Sequence, residues 1–382
     1  MRPATAPRPP TEQRILVVDA VTGAQRICAA TSFADLLRSG DLVVVNDAAT
    51  LPASLHGRTA EGAAIELRLA SAPTEGEGTL CFTAALLGAG DYRTRTEDRP
   101  APPSLAPGDI LLFPYSLRAR ILSLSPSSSR LLLVSFSLSS ASASASASAL
   151  ASLWRALYLT GRPVQYAHVP LPLALWDIQN VFAARPWAVE IPSAGRTLRA
   201  ETLLALRARN IQLAAVTHAA GLSATGDPGI DARLPLPERF EVPEATARAI
   251  VSAKARGGRV LAIGTSVVRA LESAPVAARA ARPLDVVIAA SGVTQLLLHP
   301  GAERAVVDGL LTGVHASDTT HFTLLGAFAA RAVLDHALRS AEDAGLLGHE
   351  LGDAWLVWGA PATPFVAQRE RVRRAASATV AA

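Results

Sequence analysis

The sequence predicts an α/β protein. A larger, discontinuous α/β domain (residues 1–57 and 155–382) carries a small inserted antiparallel β domain (residues 58–154), sheet or barrel. Three observations carry this expectation. Apolar strand-like runs alternate with helix-like stretches near both ends of the chain, the middle holds strand-like runs alone, and a low-complexity Ser/Ala segment, 137–152, marks the exit from that middle. With 382 residues, 50% of them hydrophobic and 18% charged, the chain is long enough for two domains and folded in composition.

The elements follow in order. From Thr11 to Leu55, ILVVDA and GDLVVVNDA read as strands with the helix-like SFADLLRSG between them. From about Gly57 to Ser152, AAIELRLAS, TLCFTAALLG, DILLFPYSLRARILSLS and RLLLVSFSLS are separated by Gly, Pro, Ser and Asp turns, with no helix pattern among them. The repeat SLSSASASASASALAS buries too little to fix a conformation, so a flexible segment is expected over 137–152. Beyond Trp154 the alternation resumes. RAETLLALRARNIQLAAVTH gives helix then strand, and PEATARAIVSAKARGGRVLAIG gives helix, a Gly257-Gly258 stop and a strand. SDTTHFTLLGAFAARAVLDHALRSAEDAG gives one long helix with a hydroxyl-rich start.

Composition narrows the function classes. No apolar run approaches the roughly 18 residues that cross a bilayer, so no membrane partner is expected. MRPATAPRPP lacks the apolar core of a secretion signal, so the expected compartment is the cytoplasm, and a monomer is the expected state. Cys28 and Cys81 match no CxxC or Cys/His spacing, and no metal site is expected. The net charge is +4 at a pI near 9.6, and Lys254 is the single lysine among 36 basic residues. Arginine pairs bidentately with phosphate and stacks on bases, which suits RNA contact, although the coding habit of a GC-rich genome is the simpler source of the bias.

Chemistry gathers in a few stretches. RVLAIGTSVVRALES (259–273) ends a strand at Gly264 and puts Thr265 and Ser266 at a helix N-terminus. Free backbone N–H groups and the helix dipole there favour a phosphate or carboxylate, but a plain Ser266 cap reads the same way. Arg269 and Glu272, three residues apart, either meet a ligand or pair with each other on the helix surface. LTGVHASDTTHF places His315 in a turn and crowds Ser317, Asp318, Thr319 and Thr320 at the next helix start, more side chains than one cap uses. His315 suits general acid or base work, while His321 reads as a packing residue. The two helix starts are expected to converge on one cavity at a single sheet edge. In WDIQNVFAARPWAVEIPSAGRT, Asp177, Gln179, Arg185, Glu190, Ser193 and Gly195 fall close together, with Asp177 and Glu190 as acid/base candidates. His218 ends a strand-like run, Glu238 precedes a helix, and Asp353 precedes a final strand.

The chain has no GxGxxG after its first strand, no GxxxxGK[ST], no HExxH and no GxSxG, which removes the usual nucleotide, metalloprotease and hydrolase readings. Its stretches, in order, resemble the S-adenosylmethionine:tRNA ribosyltransferase-isomerase family of queuosine biosynthesis. SGDLVVVNDAATLPASL, DIQNVFA, PSAG, ERFEVPEATARAIVSAKARGGRVLAIGTSVVRALES, TGVHASDTTHFTLLGAF and GDAWLV carry the resemblance over most of the chain, and 259–273 is the most specific part.

The resemblance implies a small β-barrel inserted in the α/β domain, and a transferase. The implied reaction moves the ribosyl part of S-adenosylmethionine to the aminomethyl group of 7-aminomethyl-7-deazaguanine in the tRNA anticodon region. It rearranges to an epoxycyclopentanediol, giving epoxyqueuosine, and adenine and methionine leave. No cofactor is implied beyond S-adenosylmethionine as co-substrate, and no metal. Such chemistry requires a base near the ribose 5′ carbon, a proton for adenine, and anchors for a carboxylate and hydroxyls. The implied catalytic residues are His218, His315, Asp177 and Glu238. The implied substrate-binding residues are Asn46, Asp47, Gln179, Ser193, Gly195, Gly264, Thr265, Ser266, Arg269, Glu272, Thr319, Thr320 and Asp353. The chain also departs from the family pattern. Ala49 replaces an arginine, Thr197 and Leu236 replace histidines, THAAGLSA loses a glycine pattern, Gly313-Val314 replaces Asn-Phe and Ser317-Asp318 replaces Pro-Lys. Three functions stay open: the family reaction on tRNA, an S-adenosylmethionine-using paralogue with another acceptor, and a non-catalytic nucleic-acid or ligand-binding protein with the same fold.

Overall fold

The computed structural model describes residues 1–9, 11–76, 78–139, 147–279 and 289–362. In chain order it begins with β1 (Arg14–Asp19), β2 (Gln25–Ala29), β3 (Leu42–Asn46) and the short β4 (Ala48–Thr50). Seven strands follow: β5 (Ser54–Arg58), β6 (Ala64–Leu69), β7 (Thr74–Gly76), β8 (Thr79–Leu87), β9 (Ile110–Leu112), β10 (Leu117–Ser125) and β11 (Ser128–Leu138). Then come α1 (Ala147–Thr160), α2 (Leu175–Ile178), β12 (Arg185–Ala188), α3 (Ala200–Ala208), β13 (Gln212–His218), α4 (Pro228–Asp231) and β14 (Glu238–Val242). The chain continues through α5 (Glu244–Ala255), β15 (Val260–Ile263), α6 (Thr265–Arg279), β16 (Ala290–Thr294), β17 (Gly309–Gly313), α7 (Thr320–Leu325), α8 (Arg331–Asp343) and β18 (Ala354–Trp358).

Nine strands form one mixed sheet in the order β16-β14-β13-β3-β15-β17-β18-β1-β2. β13, β3, β15 and β17 run parallel, so their carboxyl ends at His218, Asn46, Ile263 and Gly313 line one edge. Antiparallel β14 starts at that same edge with Glu238. β3 reads LVVVN and is buried throughout, as a central strand covered on both faces must be. Its side chains alternate between two cores. Leu42 and Val44 pack with Ile250, Val267, Leu271 and Leu334 of α5, α6 and α8, while Val43 and Val45 pack with Phe33, Leu198 and Leu206 on the other face. Lys254 on α5 grips both oxygens of Asp308, at 2.7 and 2.6 Å, and the same carboxylate accepts the N–H groups of Val260 and Ala362.

The other large sheet closes on itself. β5, β6, β8, β11, β10 and β9 pair antiparallel in a ring, completed by Arg58 against Leu112, and β7 adds to the β8 edge. Leu55, Leu67, Phe82, Leu111, Val134 and Phe136 fill this six-stranded barrel, and Leu153, Ala156 and Leu157 of α1 join the same core.

Several expectations need correction. The barrel's first strand begins at Ser54, ahead of the boundary at 58, because SLHGR takes its strand form from pairing with β6 rather than from an apolar run. The segment 137–152 is not one flexible loop. Ser137 and Leu138 finish β11, and 147–152 open α1, where alanine's helix propensity and the burial of Leu153 outweigh the repeat. Residues 140–146 and 363–382 lie outside the described residues. SFADLLRSG gives a 3-10 helix, Ala30–Leu36. The long helix expected after Ser317 is two, α7 and α8, and the turn between them begins at Gly326, where a Cβ would sit 2.7 Å from Pro300 Cγ. Among the described residues no helix is long and apolar enough to cross a membrane.

Candidate active site

The sheet edge gathers polar groups because strands end there and helices begin. Asn46, the last residue of β3, is the hub. Its Oδ1 accepts the N–H groups of His218 and Ala48 at 2.9 and 3.0 Å, and its Nδ2 donates to the His218 carbonyl at 2.9 Å and to Ser266 Oγ at 3.3 Å. The ends of β3 and β13 and the start of α6 are thereby locked together. His218 is fully buried, and its Nε2 lies 3.3 Å from Glu238 Oε2. Glu238 also accepts Arg269 Nη1, and its Oε1 accepts the Gly221 N–H at 2.7 Å. Arg269 Nε donates to the Leu296 carbonyl at 2.9 Å.

This cluster is incomplete. Both ring nitrogens of His218 and Nη2 of Arg269 are buried and make no hydrogen bond. Each such atom left without a partner costs on the order of 1–3 kcal/mol, so a group that reaches them regains that energy. Burial holds the His218 imidazole well below its usual range, and the Arg269 charge adds to the effect, so the ring is neutral. Burial pushes the Glu238 carboxyl up, against the opposing pull of Arg269 and the Gly221 N–H. Glu238 Oε2 lies 3.3 Å from Nε2 without the alignment of a hydrogen bond, so a small turn of the ring would engage it there and leave Nδ1 with a free lone pair. That would be a base oriented by a carboxylate, which is in turn held by an arginine.

The neighbouring turns complete the edge. Gly264 has φ +100°, which glycine adopts without the Cβ penalty, and its N–H donates to the Leu311 carbonyl at 2.8 Å. A Cβ on Gly264 would lie 3.6 Å from both Ala194 Cβ and Ser266 Oγ, so the Ser193–Thr197 turn lies beside the start of α6 with Ser193 and Gly195 on it. His315 follows β17, accepts or donates at 2.8 Å with Thr312 Oγ1, and stacks on His321 with ring centroids 4.6 Å apart. Burial holds His315 well below its usual range, with further lowering from His321 and His349. The Arg269 charge is felt at His321, so the β17 turn and α6 belong to one neighbourhood.

Other expected site residues have structural tasks. Glu272 neither meets Arg269 nor faces an open site. Its carboxylate accepts three backbone N–H groups, of Ala305, Val306 and Val307, at 2.8 to 3.1 Å. Asp177 is exposed on α2 and bonds the Ala174 N–H at 2.8 Å as a helix cap. Gln179 exchanges two bonds with the Thr50 backbone, at 3.0 and 2.9 Å. Asp353 accepts the N–H groups of Arg14 and Leu347 and pairs with Arg8, which anchors the N-terminal segment. Asp47 accepts Thr217 Oγ1 at 2.6 Å. Thr319 is the N-cap of α7, accepting the Phe322 N–H at 3.2 Å, and Thr320 is exposed. A short polar residue that caps and one that binds a ligand look alike in sequence, which is why both helix starts read as sites.

Glu190 proves more unusual than its neighbours. It accepts the Tyr166 hydroxyl, the Ser223 N–H at 2.6 Å and the Ser223 hydroxyl. Burial raises its carboxyl to about 7 despite those bonds. Tyr166 gave no sequence signal, and Ser223 lies in THAAGLSA, a stretch read only for its lost glycine pattern. Val189 N–H bonds the Ala220 carbonyl at 2.8 Å and Ala220 N–H bonds the His218 carbonyl at 3.0 Å, so Glu190 sits on the chain segment that braces the His218 turn. The Arg239 and Arg185 guanidinium groups lie 4.0 and 5.5 Å from the Trp187 ring centre, and Arg185 is also paired with Glu241. A cleft of about 380 Å³ lined by Ser54, His56, Tyr92, Arg162 and Leu173 flanks the barrel and includes none of the expected site residues.

A family model described as queuosine biosynthesis protein matches residues 2–357. The S-adenosylmethionine:tRNA ribosyltransferase-isomerase of Sorangium cellulosum (strain So ce56) is 35% identical over 388 residues, covering 94% of this chain and 96% of its own. The protein of that name from Gloeobacter violaceus is 31% identical over 359 residues, 91% of this chain and 90% of its own. A crystal structure of S-adenosylmethionine tRNA ribosyltransferase from Thermotoga maritima aligns over 93% of this chain and 96% of that one, at 22% identity and a TM-score of 0.47. With the family model matched from residue 2 to 357 and relatives above 30% identity along more than nine-tenths of its length, the chain belongs to the queuosine biosynthesis protein family.

Proposed function

We propose that this chain transfers and isomerises the ribosyl part of S-adenosylmethionine onto the 7-aminomethyl-7-deazaguanine base of tRNA, with release of adenine and methionine and no further cofactor. Beside family membership, the observation that carries this reading is the His218–Glu238–Arg269 chain, a buried neutral imidazole backed by an ion pair at the sheet edge. The sulfonium acidifies the hydrogens on the ribose 5′ carbon, and His218 is the group that accepts one of them. Arg269 Nη2, buried without a partner, suits the methionine carboxylate. His315 is held neutral, so it serves as a hydrogen-bonding partner to ribose or adenine and not as a cationic acid. Glu190, with its carboxyl raised to about 7, is the group able to hold a proton for departing adenine. Trp187 and the exposed Arg239 beside it offer stacking and phosphate contacts to RNA. A monomer acting in the cytoplasm completes the reading.

The test is to incubate the protein with S-adenosylmethionine and tRNA carrying the deazaguanine base, following adenine by chromatography and the RNA by mass. The expected result is adenine release matched by an RNA mass gain. Adenine without an RNA adduct would place the acceptor outside tRNA, and no adenine at all would overturn the reading.

A further inference from the structure

One cluster of ligating side chains has no part in the chemistry above. His168 lies in the stretch between α1 and α2, and His349 and Glu350 lie in the turn between α8 and β18, so residues remote in sequence meet. A donor atom from each falls within 4.8 Å of the other two, the one such group among the described residues. His168 Nε2 is 3.4 Å from Glu350 Oε1, and His349 Nδ1 is 3.7 Å from Glu350 Oε2. The two imidazole centroids are 4.6 Å apart.

These separations have a geometric meaning. Zinc-like ions bind imidazole nitrogen and carboxylate oxygen at about 2.0–2.2 Å in a tetrahedron, which places neighbouring donor atoms about 3.4 Å apart. The Glu350 carboxylate comes near that spacing from both imidazoles, through Oε1 to His168 and through Oε2 to His349. His168 Nε2 is buried and lies within reach of the Glu350 oxygen without the alignment of a full hydrogen bond. The backbone keeps the donors in place. His349 sits at φ +66°, with its N–H on the Val314 carbonyl at 3.0 Å and its carbonyl accepting the Gly352 N–H at 3.2 Å. On the other side, the Gln165 side chain bonds the backbone of Val169, Leu171 and Leu173 and fixes the stretch that carries His168.

We infer that His168, His349 and Glu350 bind a divalent transition-metal ion of the zinc, cobalt or nickel class. Two imidazoles and one carboxylate are the donor set such ions prefer over magnesium or calcium, which take oxygen ligands. Three protein donors leave a position for water or for Asp318, whose charge acts on His349. The ion would tie the His168 stretch to the turn that holds the Val314 carbonyl, one residue from His315. It would therefore stiffen one wall of the candidate site. The inference stands independently of the reaction proposed above.

Chelator-treated full-length protein is titrated with Zn2+ by calorimetry and with Co2+ by visible absorption, and melting is followed with and without Zn2+. The parent should take up a single tight equivalent and melt higher with Zn2+ present. Glu350→Gln, and His168→Gln with Glu350→Gln, should bind at least about tenfold more weakly, since even the partners of metal ligands are worth that much. The melting gain should vanish with them. His336→Gln, on the exposed face of α8, should behave as the parent. His168→Gln alone serves if the double variant is misfolded by circular dichroism. A parent that does not bind Zn2+, or a folded Glu350→Gln or His168→Gln variant that binds it like the parent, would overturn the site.

Discussion

Among the described residues, the buried carboxylate–arginine cluster in the barrel and the one at the edge of the large sheet are built to opposite rules. In the barrel, Glu66 accepts Ser54 Oγ and Arg68 Nε, each at 2.7 Å, and Arg99 Nη1. Arg68 continues to Thr96 Oγ1 at 3.0 Å, and Arg99 to the Gly88 carbonyl at 2.7 Å. Burial alone would raise the Glu66 carboxyl, but Arg68 and the bonds from Arg68, Arg99 and Ser54 bring it down to about 2. At the sheet edge, burial wins and Glu238 is raised, while the neighbouring imidazole and one guanidinium nitrogen have no partner. A closed network stores stability, whereas an open one stores binding capacity.

The sheet-edge cluster depends most strongly on His218. His218→Ala should lower adenine release about 10²- to 10⁴-fold, the usual range for losing a general base, with circular dichroism unchanged. Activity within tenfold of the parent would remove the imidazole from the reaction. Arg99→Met should do the reverse. It leaves Glu66 paired with Arg68 and Ser54 but short of one charge-assisted bond, and the Gly88 carbonyl without its donor, so unfolding in urea should show a loss of about 1.5–3 kcal/mol, while activity per folded molecule stays level. A stable Arg99→Met protein would mean that the barrel network is no stronger than an apolar filling.

A comparable effect should appear in the pH dependence. The Glu190 carboxyl is raised from 4.5 to about 7, so the folded protein binds more protons than the unfolded chain between those values. Stability present below pH 4.5 is therefore lost as pH rises through 7, by about 3 kcal/mol at about 1.4 kcal/mol per unit. Glu190→Gln should flatten that decline in melting temperature between pH 5 and pH 8, and an unchanged slope would put the titrating group elsewhere. The smallest expected change is at the start of α7. Thr319→Ala removes a cap and should cost about 1 kcal/mol with no shift in KM for S-adenosylmethionine, whereas a raised KM would return Thr319 to the site.

Periodicity made the sheet legible. β1, β3, β13, β15 and the helices between them follow the alternation of apolar runs, and the edge residues His218, Glu238, Ser266 and Arg269 follow from where those runs stop. Pairing partners were not legible. Nothing local to RVLAIGTSVVRALES says that Arg269 reaches Glu238 on β14 while Glu272, one turn on, turns to the backbone of 305–307. β5 and α1 were missed because each takes its form from the barrel core it closes, and Tyr166 because a lone aromatic carries no pattern. The His168–His349–Glu350 triangle escaped for the same reason, since its members share no motif spacing.

The clamp between Lys254 and Asp308 turns an oddity of composition into an experimental handle. The chain carries one ε-amine, and the α-amine of Met1 is engaged by Glu342. An acylating reagent therefore has one lysine to modify, and must wait until that ammonium leaves the carboxylate joining α5 to the starts of β15 and β17. Labelling rate at this single position reports how often the Lys254–Asp308 clamp releases. A lysine-specific protease has just one bond to cut, after Lys254 near the end of α5, so a single nick would record local opening of that helix end.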